Sequence, residues 1–93
     1  MEIVINRCWG GYSLSKEACA MLGVTNHYAF DEKEERTNPR LVDCVRTLGK
    51  RASGAAANLV IVELSFETTD WEIDEYDGAE RVIYVVDGKI HHA

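Results

Sequence analysis

Two Asp-Gly dipeptides, Asp77-Gly78 and Asp87-Gly88, stand ten positions apart with strand-like runs on either side. A two-residue type I′ turn needs positive φ at both central residues. Glycine adopts this freely and aspartate tolerates it, so Asp-Gly between apolar runs is a strong hairpin signal. The run before the first turn, Trp71-Glu72-Ile73-Asp74-Glu75-Tyr76, alternates in the manner of a half-buried strand with one acidic face. Arg81 to Val86 supplies the next strand and Lys89 to His92 the last. The C-terminal third is therefore expected to be an antiparallel meander.

Upstream the pattern changes. Leu59–Leu64, LVIVEL, is almost wholly apolar and β-branched, which predicts a central strand covered on both faces. Ile3-Val4-Ile5 predicts a short buried strand. After it come Asn6-Arg7, the loop Trp9-Gly10-Gly11-Tyr12, and a helix start at Ser13 to Ser15. Leu14, Ala18, Met21 and Leu22 then fall at helical spacing, with Gly23 as C-cap. Asn38-Pro39 opens a second helix, with Asn at the N-cap and Pro at the first helical position. Leu41, Cys44 or Val45, Leu48 and Ala52 form its apolar face. It is expected to end near Gly54, or earlier at Gly49. Between the helices, Asp31-Glu32-Lys33-Glu34-Glu35-Arg36 reads as a solvated loop or short exposed helix. The expected fold is α+β: one small domain over residues 1–93, with a mixed or antiparallel sheet of about 4–5 strands, two main helices and the C-terminal β-meander.

The 93 residues carry a formal charge of −6, which argues against a general nucleic-acid binder. Apolar residues make up 46% and charged residues 28%, a globular rather than disordered balance. So small a domain buries a modest core, so a homo-oligomer is expected. No apolar run approaches the length of a membrane span, and no signal-peptide pattern opens the chain. Cys8, Cys19 and Cys44 are odd in number and show no metal-ligand spacing. They argue for a reducing cytosol and against a disulfide framework. Charge is unevenly spread. Arg36, Arg40, Arg46, Lys50 and Arg51 cluster in and before the second helix, whereas residues 52–80 hold no Lys or Arg and eight acids. A basic helix and an acidic hairpin can pair within one chain or between copies.

The stretch Arg7 to Ser15 is the densest concentration of ligand-type residues. Arg7 suits a phosphate because its planar fork matches two oxygens. The Gly10 and Gly11 amides and the Ser13 and Ser15 hydroxyls can donate to the same anion, and Trp9 or Tyr12 can stack on a base. A second anion position is expected at Arg36 and Arg40, beside the start of the second helix. The same glycines would also serve a plain strand-to-helix turn, because neither GxxxxGK[ST] nor GxGxxG is present. The acidic segment Asp74-Glu75-Tyr76-Asp77 alternates between strand faces, so its carboxylates do not converge on a metal. A Cys8 nucleophile with His27, His91 or His92 can be drawn, but nothing fixes such a pair in space. No metal or cofactor is expected, and a non-enzymatic role is favoured over catalysis.

Three blocks, INRCWGGYSLSKEA, LGKRASGAAANLVIVEL and WEIDEYDGAE, resemble in content and order a family of small, largely uncharacterised proteins encoded by tailed phages and prophages. The resemblance runs from Ile3 to about Val82, and VIYVVDGKIHHA departs from the family pattern. It implies a phage accessory protein acting in the cytoplasm of an infected bacterium. Accessory proteins of this size are often inhibitors of host defence. Some sequester nucleotide signals and others mask a defence protein. The combined expectation is a binder that sequesters a nucleotide or cyclic-nucleotide immune signal at the Arg7–Ser15 loop. The alternatives are an acidic inhibitor that occupies a host defence protein through the hairpin at 72–80, and a small hydrolase without a recognisable motif.

Overall fold

The computed structural model describes residues 1–93, and five antiparallel strands and two helices form three layers. The middle layer is a two-stranded ribbon of β1 (Glu2–Asn6) and β2 (Leu59–Glu63), in which Val4 faces Ile61 and Asn6 faces Leu59. On one side lie α1 (Lys16–Leu22) and α2 (Pro39–Leu48). On the other lies a three-stranded meander of β3 (Thr68–Tyr76), β4 (Ala79–Val86) and β5 (Lys89–His92). The expected strand number holds, and the strands are divided between two sheets.

Side-chain alternation along the ribbon explains the layering. Val4, Leu59 and Ile61 turn towards the helices and join Leu14, Ala18, Leu22, Leu41 and Leu48 in the larger core. Ile3, Ile5, Val60 and Val62 turn the other way and meet Val82, Trp71, Ile73 and Tyr84 of the meander. A two-stranded ribbon alone is marginal in water. Here both faces are dry, and each fully buried aliphatic side chain contributes about 1.5–3 kcal/mol. The continuous apolar run of β2 is the signature of that double cover.

The local signals behave as their chemistry requires. Ser15 caps α1 by accepting from the Ala18 N–H at 3.0 Å, and Gly23 ends the helix at φ 72°. Asn38 accepts from the Arg40 N–H at 2.9 Å, and Pro39 opens α2. Helix α2 ends at Leu48 with Gly49, and a 3-10 turn carries the chain to Ala52. Asp77 and Gly78 have φ of 56° and 91°, and Asp87 and Gly88 have 51° and 74°, so both turns are type I′.

Candidate functional site

Only two polar side chains are fully enclosed, Asn6 and Arg36, and together they tie the β3–β4 hairpin to the rest of the molecule. Asn6 ends β1. Its Nδ2 donates to the carbonyls of Cys8 at 2.6 Å and Gly78 at 2.8 Å. Its Oδ1 accepts from the amides of Cys8 at 3.2 Å and Asn58 at 2.8 Å. One amide side chain thus joins three stretches of chain with its full hydrogen-bonding complement.

Arg36 departs most from expectation. It closes the charged run read as solvated, yet it is 2% exposed. Its guanidinium donates to both Glu80 carboxylate oxygens at 2.8 Å each, to Asp31 Oδ1 at 2.9 Å, and to the carbonyls of Asp31 and Val4 at 2.8 and 3.1 Å. All five donor hydrogens are thereby engaged. Glu80 Oε1 also accepts from the Asn6 N–H at 2.7 Å. The Tyr12 ring lies 4.2 Å from the guanidinium carbon, and its hydroxyl donates to the Ala29 carbonyl at 2.7 Å. Burial pushes the Tyr12 phenol far above its usual range. Arg36 and Tyr12 therefore form an internal polar brace, with no donor of Arg36 left for an external anion.

The glycine loop is likewise engaged in packing. A Cβ on Gly10 would meet the Ala56 carbonyl oxygen at 2.1 Å, and one on Gly78 would meet the Trp9 carbonyl oxygen at 2.2 Å. The Gly11 N–H donates to the Cys8 carbonyl at 3.2 Å. Ser15 caps α1 and donates to the Arg51 carbonyl at 2.6 Å, while Ser13 Oγ fills the space beside Gly54. Helix α1 has only seven residues. Arg40 donates to the Leu22 carbonyl and leans over the Phe30 ring, at the far end of α1 from the loop. Of the anticipated ligand residues, Arg7, Trp9, Gly10 and Arg40 are solvent-facing, with Trp9 78% exposed, and the Arg7 and Trp9 side chains make no internal hydrogen bond. The Trp9 carbonyl lies against Gly78, and no cavity is lined by the loop.

The hollows lie instead on the meander. An open cleft of about 480 Å3 runs along the hairpin, lined by Asp74, Glu75, Tyr76, Ala79, Glu80 and Arg81. A second, of about 180 Å3, is lined by Asp70, Trp71, Glu72, Ile83, Val85 and Ile90. The hairpin acids are only partly balanced. Lys33 pairs with Glu72 at 2.9 Å and lies over Trp71, and Arg81 pairs with Asp74 at 3.0 Å. Glu67, Asp70, Glu75 and Asp77 form no ion pair. The bases around α2 turn elsewhere: Arg46 to Glu2, and Arg51 to Glu17, whose carboxyl is held below its usual range chiefly by that hydrogen bond.

Three free thiols are present, and burial raises those of Cys19 and Cys44. His27 Nδ1 lies 2.7 Å from the Leu14 carbonyl and His91 stacks on Tyr84, so neither ring addresses a cysteine. No three His, Cys, Asp or Glu side chains converge as metal ligands, and no helix is long and apolar enough to cross a membrane. No protein-family model, curated protein or solved structure matches the chain.

Proposed function

We propose that this chain is a non-enzymatic interaction protein that presents the acidic β3–β4 hairpin, Glu72 to Glu80, to a basic surface of another protein. In the setting implied by the phage-family resemblance, that partner is a host defence protein in the cytoplasm of an infected bacterium. The observation that carries the reading is the contrast across the hairpin. Glu80 is locked inward by Arg36, while Glu75 and Asp77 stand unpaired outside with Tyr76, which is 83% exposed. A braced strand pair holds its charges in fixed positions, so little conformational freedom is lost on binding. Complementary charge then accelerates encounter and selects partners.

The test is capture from lysate of the host bacterium by the immobilised protein at low and high salt, followed by binding measurements on each purified partner. Binding should weaken steeply with salt and be lost in the Glu75→Gln/Asp77→Asn double variant, which removes both charges, keeps a residue that tolerates the positive φ of position 77, and should melt close to the parent. A partner that binds the double variant as tightly as the parent would refute the reading.

Exposed Arg7 and Trp9 support a second reading, a nucleotide-like anion laid on the surface of the loop, with Arg7 on a phosphate and Trp9 stacked on a base. It corresponds to sequestration of a nucleotide or cyclic-nucleotide signal. It predicts that cyclic dinucleotides raise the melting temperature by mass action and that Arg7→Ala abolishes the shift. Native mass spectrometry of protein isolated from infected cells would detect such a ligand and the expected homo-oligomer together.

A further inference from the structure

The register of the meander sorts its outer face into columns. Asp70, Glu72 and Asp74 project from β3, and opposite them on β4 stand Val85, Ile83 and Arg81. Ile90 of β5 stands beside Val85. The opposite face of the same sheet carries Trp71, Ile73 and Val82 and is covered by the ribbon. The outer face has no cover, and the hollow of about 180 Å3 sits where its aliphatic and acidic columns meet. Ile90 is 68% exposed there. A sheet face bearing aliphatic side chains is ordinarily covered by another layer.

Charge selects the occupant. A second copy laid column on column would set its own Asp70 and Glu72 over those of the first, which like-charge repulsion opposes. The cover that fits is apolar along one line and cationic along its flank. An amphipathic helix with Leu-type residues at helical spacing and Lys or Arg beside them has that form. The carboxylates of β3 repeat every two residues, about 7 Å apart. Of the three, Asp70 is free to take a cation from the helix flank, while Glu72 and Asp74 would share theirs with Lys33 and Arg81. Lys33, already on Glu72 from the rim, shows that a cation can sit in that column.

We infer that the Ile83–Val85–Ile90 groove, with the Asp70/Glu72 column as its charged wall, is a docking site for a basic amphipathic helix of a partner protein. The inference rests on the acidic-hairpin reading and names the chemistry of its partner.

The test uses two fluorescein-labelled peptides of identical Leu/Lys composition. In one, Leu recurs at i, i+3, i+4 and i+7; in the other, the order is scrambled so that no apolar stripe forms. Fluorescence anisotropy gives the affinity of the intact protein for each. The striped peptide should bind at least tenfold more tightly and perturb the amide resonances of Ile83, Val85 and Ile90. The Ile90→Ser protein should lose that preference, and its exposed position leaves the fold intact. Equal binding of both peptides, or an unchanged preference in Ile90→Ser, overturns the docking site and leaves the acidic hairpin as a purely electrostatic surface. Failure of both peptides to bind at low salt overturns the hairpin reading as well.

Discussion

Replacing Glu80 with glutamine should be among the most damaging single substitutions in this chain. The shape is almost unchanged, so the effect isolates charge and hydrogen bonding. Glu80 accepts two charge-assisted bonds from Arg36 and a third from the Asn6 amide, and its side chain is only 9% exposed. Glutamine presents one acceptor oxygen and an NH2 group that must face the N–H donors of Arg36. Asp31, whose side chain is 54% exposed, is then the only carboxylate left to a cation that water cannot reach. Removing one member of a buried ion pair costs about 3–5 kcal/mol. A domain of this size has roughly 5–15 kcal/mol of total stability. Each kcal/mol shifts the melting temperature by about 4–8 °C, so a fall of at least ~12 °C is expected. Circular dichroism melts and urea titrations on purified protein measure it. Glu75→Gln, an exposed neighbour in the same hairpin, is the control and should change stability by less than about 0.5 kcal/mol. Replacing both partners, Arg36→Met with Glu80→Leu, should cost less than the sum of the two single changes, because no uncompensated charge remains. If Glu80→Gln melts within 3–4 °C of the parent, a shift of no more than ~1 kcal/mol, the brace is not what holds the hairpin.

Three further expectations follow from the same contacts. Gly78→Ala should destabilise far more than Gly88→Ala in urea unfolding. Both replace a positive-φ glycine, but only at Gly78 does the new Cβ strike backbone, at 2.2 Å from the Trp9 carbonyl oxygen. Gly88→Ala should cost only the left-handed penalty of about 1–2 kcal/mol. Ser15→Ala removes the cap of α1 and should cost about 1 kcal/mol by the same assay. Trp9→Ala, at a side chain 78% exposed, should leave the melting temperature within about 3 °C and change only ligand or partner binding.

Where a signal was local, the sequence carried it. The two Asp-Gly turns, the Ser15 and Asn38 caps, Pro39 and Gly23 are each settled by a few adjacent residues, and the chain follows all of them. The division into two sheets depends on β1 finding β2 across more than fifty residues, and periodicity says nothing about such a choice. The burial of LVIVEL on both faces was legible, but the identity of the covering layers was not. Arg36 was the hardest to read. Within a run of charges it looks solvated, and the buried carboxylate that meets it, Glu80, comes forty-four positions later. The glycines of the Arg7–Ser15 loop illustrate the same ambiguity. Close backbone approach and anion binding call for the same residue, and the contacts of Gly10 and Gly78 favour the former. The exposed acids were visible as composition, but their sorting into columns beside an aliphatic groove required the strand register.

The ribbon imposes an order of events on a chain being synthesised. Its first strand emerges from the ribosome carrying Ile3, Val4 and Ile5, and for most of translation neither its hydrogen-bonding mate nor either of its covering layers is complete. The hairpin that follows can zip quickly from its own tight turns, yet Glu80 meets Arg36 only when the far end of the sequence arrives. Assembly is thus governed by remote encounters, a topology that slows folding relative to a helical protein of equal length. The acidic surface becomes available as a rigid shape only once Glu80 has reached Arg36, which ties partner engagement to chains in which both segments have folded together.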